Sequence, residues 1–306
     1  MNYTSIFGAA LVFAGAVLFS AKAIFVKLAY QHAIDPVSLL TLRMLISLPF
    51  FLIIGYFTGK KTETIALQQK EWVYLILLGM VGYYLASLFD FQGLQYITAG
   101  LERLILFVYP TIVVVISAFL YKKPIKKIQY FALLTTYIGI FIAFAFDVDL
   151  HTQPNIGLGA FLIFLSALAY AIYLIGSGKM IPKVGTIRFT AYAMSFSALA
   201  IIIHSYFFNG LDIWNFSTEV YIICTLMAVF STIIPSFLIS GGIKMIGSDN
   251  ASIVGSVGPV STIILAYIFL NETISVSQII GTGFVLAGVL IISLKKDSAD
   301  VNKISK

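Results

Sequence analysis

Charge is what this sequence has least of. Asp, Glu, Lys and Arg together make up 10% of its 306 residues, against 60% for hydrophobic ones. That is too little polar side-chain material to coat a water-soluble globule of this size, which excludes a soluble enzyme or binding domain and leaves a lipid-facing surface. Cysteine is almost absent: Cys224 is alone and lies in an apolar stretch, ruling out an intramolecular disulfide and a cysteine-based metal site. Only three histidines occur, none with metal-ligand spacing, and His204 reads as an interfacial side chain near the end of an apolar segment. HExxH, GxSxG, P-loop and Asp-rich diphosphate-binding patterns are all missing, so no catalytic residue, metal or cofactor is expected. Direct drive by ATP would need a separate subunit.

What the sequence has instead is a succession of apolar runs. About 20 apolar residues suffice to cross roughly 30 Å of hydrocarbon as a helix. Apolar runs set against polar breaks predict helices over Ile6–Tyr30, Val37–Thr58, Trp72–Gln95, Thr98–Tyr121, Ile128–Phe146, Ile156–Met180, Ile187–Phe208, Glu219–Lys244, Gly247–Leu270 and Ser275–Leu294. The expected fold class is all-α integral membrane, with ten transmembrane helices. The first run begins almost at Met1, lacks a basic leader and is followed by others of its kind, so it reads as a span rather than a cleaved signal.

The formal net charge of +6 does not point to nucleic acid once the basic residues are placed. Fifteen of the 19 fall on one side of the predicted topology: Lys60, Lys61, Lys70, Lys122, Lys123, Lys126, Lys127, Lys179, Lys183, Arg188, Lys244, Lys295, Lys296, Lys303 and Lys306. The opposite loops hold Asp35, Asp147, Asp149, Asp212, Glu219 and Glu272 and no basic residue. Cytoplasmic loops retain Lys and Arg, so both termini are expected in the cytoplasm of a cell with the chain in its inner or plasma membrane.

An internal repeat accompanies the spans. At an offset of 151, Gly8, Ala9, Leu11, Phe13 and Ala16 match Gly159, Ala160, Leu162, Phe164 and Ala167; at 149, Pro110, Ile125, Gln129 and Gly139 match Pro259, Ile274, Gln278 and Gly288. This divides the chain into a first five-helix repeat at 1–146, a connector at 147–155, a second repeat at 156–294 and a tail at 295–306. Five is odd, so the second repeat enters the membrane inverted. Exchange of conformation between inverted halves is a route to alternating access, which makes transport the leading function.

Ionisable groups inside spans cost about 2.5–3.5 kcal/mol each on insertion scales, so they need partners or a hydrated cavity. Here they are Lys22, Lys27, Arg43, Asp90, Glu102 and Arg103, all in the first half. With a rise of about 1.5 Å per residue, all six fall in the outer half of the membrane at comparable heights. One cluster of four positive and two negative charges is expected, with Lys27 snorkelling to the interface. Such a pocket favours a small-molecule substrate bearing a carboxylate or phosphate and lets Asp90 or Glu102 exchange protons. Tyr83, Tyr84, Phe89, Phe91, Tyr96 and Tyr109 are candidate aromatic walls. The alternative is structural: Arg43 or Arg103 pairs with Glu102, and Lys22 with Asp90, to hold the helices together.

The segment Gly247–Ile292 reads GSDNASIVGSVGPVSTIILAYIFLNETISVSQIIGTGFVLAGVLII: a small-residue helix start, a mid-helix Pro, an apolar run ending in Glu and a Gly-rich last helix. This resembles the drug/metabolite transporter superfamily, in its EamA-like ten-helix branch, and the resemblance covers nearly the whole chain. The first-half counterpart, Ala99–Phe144, keeps Pro110 and Gly139 but has Tyr121, Lys122, Lys123 and Pro124 where the family places the Glu matched here by Glu272. The resemblance implies an inner-membrane carrier with a central cavity between two five-helix bundles, taking amino acids or related metabolites, often outward.

Pro110 and Pro259 are candidate hinges, since a missing backbone hydrogen bond permits a kink. Gly241, Gly242, Gly255 and Gly258 allow close helix approach, and the Gly281, Gly283, Ala287 and Gly288 face offers a surface for a homodimer or for intramolecular packing. A lipid flippase, a non-transporting regulatory membrane protein and, more remotely, an intramembrane enzyme stay open beside solute transport.

Overall fold

The computed structural model describes residues 3–59, 67–97, 99–122, 124–144, 155–210, 213–270 and 274–293. Lys60, Lys61, Lys123, Asp147, Asp149, Asp212, Glu272, Lys295, Lys296, Lys303 and Lys306, most of the 147–155 connector and the 295–306 tail lie outside the described residues. Every element among those described is helical, as a chain surrounded by lipid requires, because only a helix satisfies its backbone within one segment. The helices are α1 (Tyr3–Tyr30), α2 (Pro36–Gly59), α3 (Gln69–Gly79), α4 (Ala86–Gly93), α5 (Ala99–Leu106), α6 (Tyr109–Tyr121), α7 (Lys127–Phe144), α8 (Ile156–Val184), α9 (Thr186–Asn209), α10 (Thr218–Ala228), α11 (Ile234–Val254), α12 (Gly258–Leu270) and α13 (Val276–Ser293).

Among the described residues, six stretches are long and apolar enough to cross a membrane, and Tyr109–Tyr121, Lys127–Ile142 and Val276–Ile291 are shorter apolar helices. The last of the six, Thr218–Phe269, has 52 residues, which as one straight helix would reach about 78 Å. It is broken at Gly247, whose φ of 78° and ψ of 162° interrupt α11 where the sequence predicts two helices to meet.

Helix starts follow from local chemistry. Asp35 caps α2, its Oδ1 accepting from the Val37 and Ser38 amides at 2.9 and 3.0 Å, with Pro36 as the first helical residue. Gln129 and Gln278, paired by the repeat, do the same work: each side-chain oxygen accepts the backbone N–H three residues earlier, of Lys126 at 3.1 Å and of Ser275 at 3.0 Å.

Where the sequence predicts unbroken spans, the structure has interruptions, and they recur at the repeat offset. Met80–Leu85 and Val229–Ile233 are π-helical turns that begin 149 residues apart. The fourth predicted helix is split between α5 and α6 at Phe107 and Val108, and the ninth passes through a 3₁₀ turn at Gly255–Val257. A proline ring clashes with the carbonyl four residues back, which for Pro110 is Leu106, the end of α5, and for Pro259 is Gly255, the start of the 3₁₀ turn. Pro235 likewise sits four residues after Ser231 in the second π turn.

The elements pair crosswise between chain halves. α1 packs on α11 and α12, α8 on α4 and the first π turn, α2 on α9, and α7 on α13. Two glycine crossings make the first two pairs close. A Cβ on Gly242 would lie 2.7 Å from the Gly8 carbonyl oxygen, and one on Gly159 would lie 3.3 Å from that of Gly93. On the α13 face, Gly281 offers its carbonyl to Gly139 of α7 and Gly288 abuts Thr136, so those two serve intramolecular packing, while nothing lies within 4 Å of a Cβ on Gly283.

Candidate functional site

Five of the six intramembrane charges converge. Lys22 on α1, Arg43 on α2, Asp90 on α4, and Glu102 and Arg103 on α5 are all buried, none with more than 4% of its surface exposed. Lys22 Nζ donates to Asp90 Oδ2 at 2.5 Å, and Arg103 Nε lies 3.0 Å from Glu102 Oε2. Arg103 also donates to the Ser20 carbonyl at 3.3 Å. Arg43 donates to Ser87 Oγ at 3.1 Å and stacks over Phe91, 4.9 Å from the ring centre. The Asp90 and Glu102 carboxyls lie within hydrogen-bonding reach of each other. Yet Asp90 Oδ1 and both Glu102 oxygens are without a well-aligned donor.

Lys27 stands apart from the cluster: its ammonium donates at 2.8 Å to both the Leu94 and Ile97 carbonyls. Those carbonyls follow the end of α4, where free C=O groups and the helix dipole attract a cation.

A central cavity adjoins this cluster, walled by α1, the first π turn with α4, α5 and α6, α8, α11 and α12. Lys22 and Arg103 face it; Asp90 and Glu102 do not, and among the described residues the lining holds no carboxylate. Its cations are therefore presented to an occupant while their counter-charges stand behind. Arg43 reaches the cavity only through Ser87.

Of the expected aromatic walls, Tyr109 lines the cavity, donating to the Ser252 carbonyl at 3.3 Å with its ring edge-on to Tyr170 at 5.2 Å. Tyr84 does not; its hydroxyl is 2.6 Å from His204 Nδ1 on α9. His204 is thereby tied to the first π turn. Ser20, Ser166 and Tyr170 also line the cavity and carry no sequence signal, because single hydroxyls in apolar helices are common. The prolines Pro110 and Pro259 stand at the helix breaks beside it, next to the lining residues Tyr109 and Gly258.

A second, more polar cavity lies among Lys126, Gln129, Lys179, Gly247, Asp249 and Asn250. The two nearly touch: Leu174 lines the first and Ile175 the second, Ala251 the first and Asn250 the second.

Membrane-length apolar helices around a cavity lined by buried cations are the build of a multi-pass membrane protein, and relatives agree. The EamA-like transporter family model matches residues 6–145 and again 157–294, and the chain belongs to that family. It is similar to the Uncharacterized transporter YcbK of Bacillus subtilis, 30% identical over 296 residues and 94% of each chain. It is also similar to the Uncharacterized inner membrane transporter YicL of Salmonella typhimurium, 24% identical over 83% of each. One solved crystal structure superposes on 94% of this chain and 98% of its own with a TM-score of 0.77 at 17% identity, which shows the fold. This protein is a membrane transporter.

Proposed function

We propose that the protein is a secondary transporter of small carboxylate-bearing metabolites, amino acids or related organic acids, working by alternating access around the central cavity. The observation that carries this reading is the cavity wall: two cations, Lys22 and Arg103, and no carboxylate. An anionic group entering there gains charge-assisted hydrogen bonds in a low-dielectric surrounding. An ammonium-only solute finds no partner.

Ten crossings in two inverted repeats, 1–146 and 156–294, support the mechanism. The paired π turns, the proline breaks 149 residues apart and the crosswise helix packing are what such repeats produce, and the family model's two matches fit the same division. With the termini cytoplasmic, the second cavity, which carries Lys126 and Lys179, is the cytoplasmic mouth, and the thin layer from Leu174 to Ala251 is what must part to join it to the centre. The bilayer in question is the inner or plasma membrane.

The test is uptake into proteoliposomes of labelled pyruvate, succinate, glutamate and phenylalanine by wild type and Arg103→Gln. Losing a charge-assisted hydrogen bond of about 1.5–3 kcal/mol weakens apparent affinity roughly ten- to hundredfold. Carboxylate uptake equal in the folded variant and the wild type would refute the reading.

A further inference from the structure

Resting on that reading, we infer that the Asp90–Glu102 pair is a proton-binding site filled together with the anion site on Lys22 and Arg103, so that one proton accompanies each carboxylate. Three observations meet here. The two carboxyls are in hydrogen-bonding reach, and no hydrogen bond forms between two carboxylates unless a proton lies between them. Three of their four oxygens otherwise have no well-aligned donor in a fully buried setting, and one added proton supplies one. Finally, the pair stands behind the cations, away from the cavity, so an incoming anion does not touch it but shares Lys22 and Arg103 with it.

The sign of the coupling follows from Coulomb's law alone. A carboxylate arriving on the cavity side of Lys22 and Arg103 adds negative charge near the pair and draws the two cations away from it. Both effects favour a proton on the pair. By linkage, a protonated pair leaves the cations freer and binds the anion more tightly. The other groups bearing on the pair are Arg43 from α2 and Lys27 and Tyr30 from α1, while Tyr109 from α6 bears on Arg103. Arg43 and Lys27 stay engaged with Ser87 and with backbone carbonyls and do not face the cavity, so they offset charge without responding to an occupant. The proton enters from cavity water past Lys22 and Arg103 and leaves by the same route once the cavity opens to the other side. An inward proton gradient then drives uptake, the reverse of the export that the family resemblance implies.

Two measurements on nanodisc-embedded protein test this. Infrared difference spectra across pH should show a protonated-carboxyl band in wild type that is missing in Glu102→Gln. Equilibrium binding of labelled pyruvate, succinate and glutamate should weaken about tenfold per pH unit above the point where that band disappears, and should become independent of pH in Glu102→Gln. A wild type that binds one of these anions but has no such band, or binds it equally at every pH, overturns the proton site and leaves anion recognition standing. A band that titrates in protein binding none of the three anions overturns the coupling together with the carboxylate reading.

Discussion

Lys22 and Asp90 give the sharpest test of whether the buried charges hold the protein together, serve its solute, or do both. The two are 2.5 Å apart with 4% and 1% of their side-chain surfaces exposed. Lys22→Met keeps the length and apolar stem of the side chain but leaves a carboxylate without its cation. Breaking one partner of a buried pair costs about 3–5 kcal/mol, whereas replacing both by apolar groups of similar volume is close to neutral. Lys22→Met alone should therefore lower the unfolding midpoint by on the order of 10 °C, and Lys22→Met with Asp90→Leu should recover most of it. Fluorescence-detected unfolding in detergent reads both. The double variant should then transport carboxylates with an apparent affinity weakened roughly ten- to hundredfold although it is folded, because the cavity has lost one of its two cations. Equal destabilisation by the single and the double variant would refute the pairing. Full transport by a folded double variant would refute the role of Lys22 in binding and leave the pair as scaffold.

Helix packing and topology give two further tests. Gly242→Val puts a side chain where a Cβ already lies 2.7 Å from the Gly8 carbonyl, so it should destabilise by about 1–3 kcal/mol or prevent folding, while Gly283→Val, with open space around it, should leave the unfolding midpoint unchanged. In a Cys224→Ser background, Asn155→Cys before α8 should react with an impermeant thiol reagent from outside intact cells and Gly185→Cys after α8 should not; the opposite pattern would invert the assigned orientation.

Much of this architecture is legible in the sequence because lipid imposes a simple rule. Apolar length sets the spans, and the cost of intramembrane charge singles out Lys22, Arg43, Asp90, Glu102 and Arg103, which the fold does bring together. What the sequence does not reveal is direction. Asp90 and Arg103 look equally costly on paper, yet one stands behind the wall and the other in it, a matter of helix rotation that composition does not encode. Nor does the sequence reveal that Lys27 meets two carbonyls past the end of α4. The π turns escape an apolar-run analysis because neither brings a charged residue into the run. The proline breaks, by contrast, are foreshadowed by the Pro110 and Pro259 match. The second half's share of the cavity, Ser166 and Tyr170, is hidden for want of any charge.

The crosswise pairing of helices bears on how the chain is made. Lys22 meets its partner 68 residues later, within the first half. At about 5–20 residues per second the ribosome needs roughly 3–14 s to reach Asp90, during which the lysine has no counter-charge in the membrane. After that interval the lysine has its counter-charge, long before the second half exists. The small-residue face of α1 waits far longer, since its neighbours α11 and α12 are among the last segments synthesised. A nascent first half should therefore be electrically settled but mechanically unfinished, its glycine surface held open in the bilayer until the end of translation supplies the helices that close it.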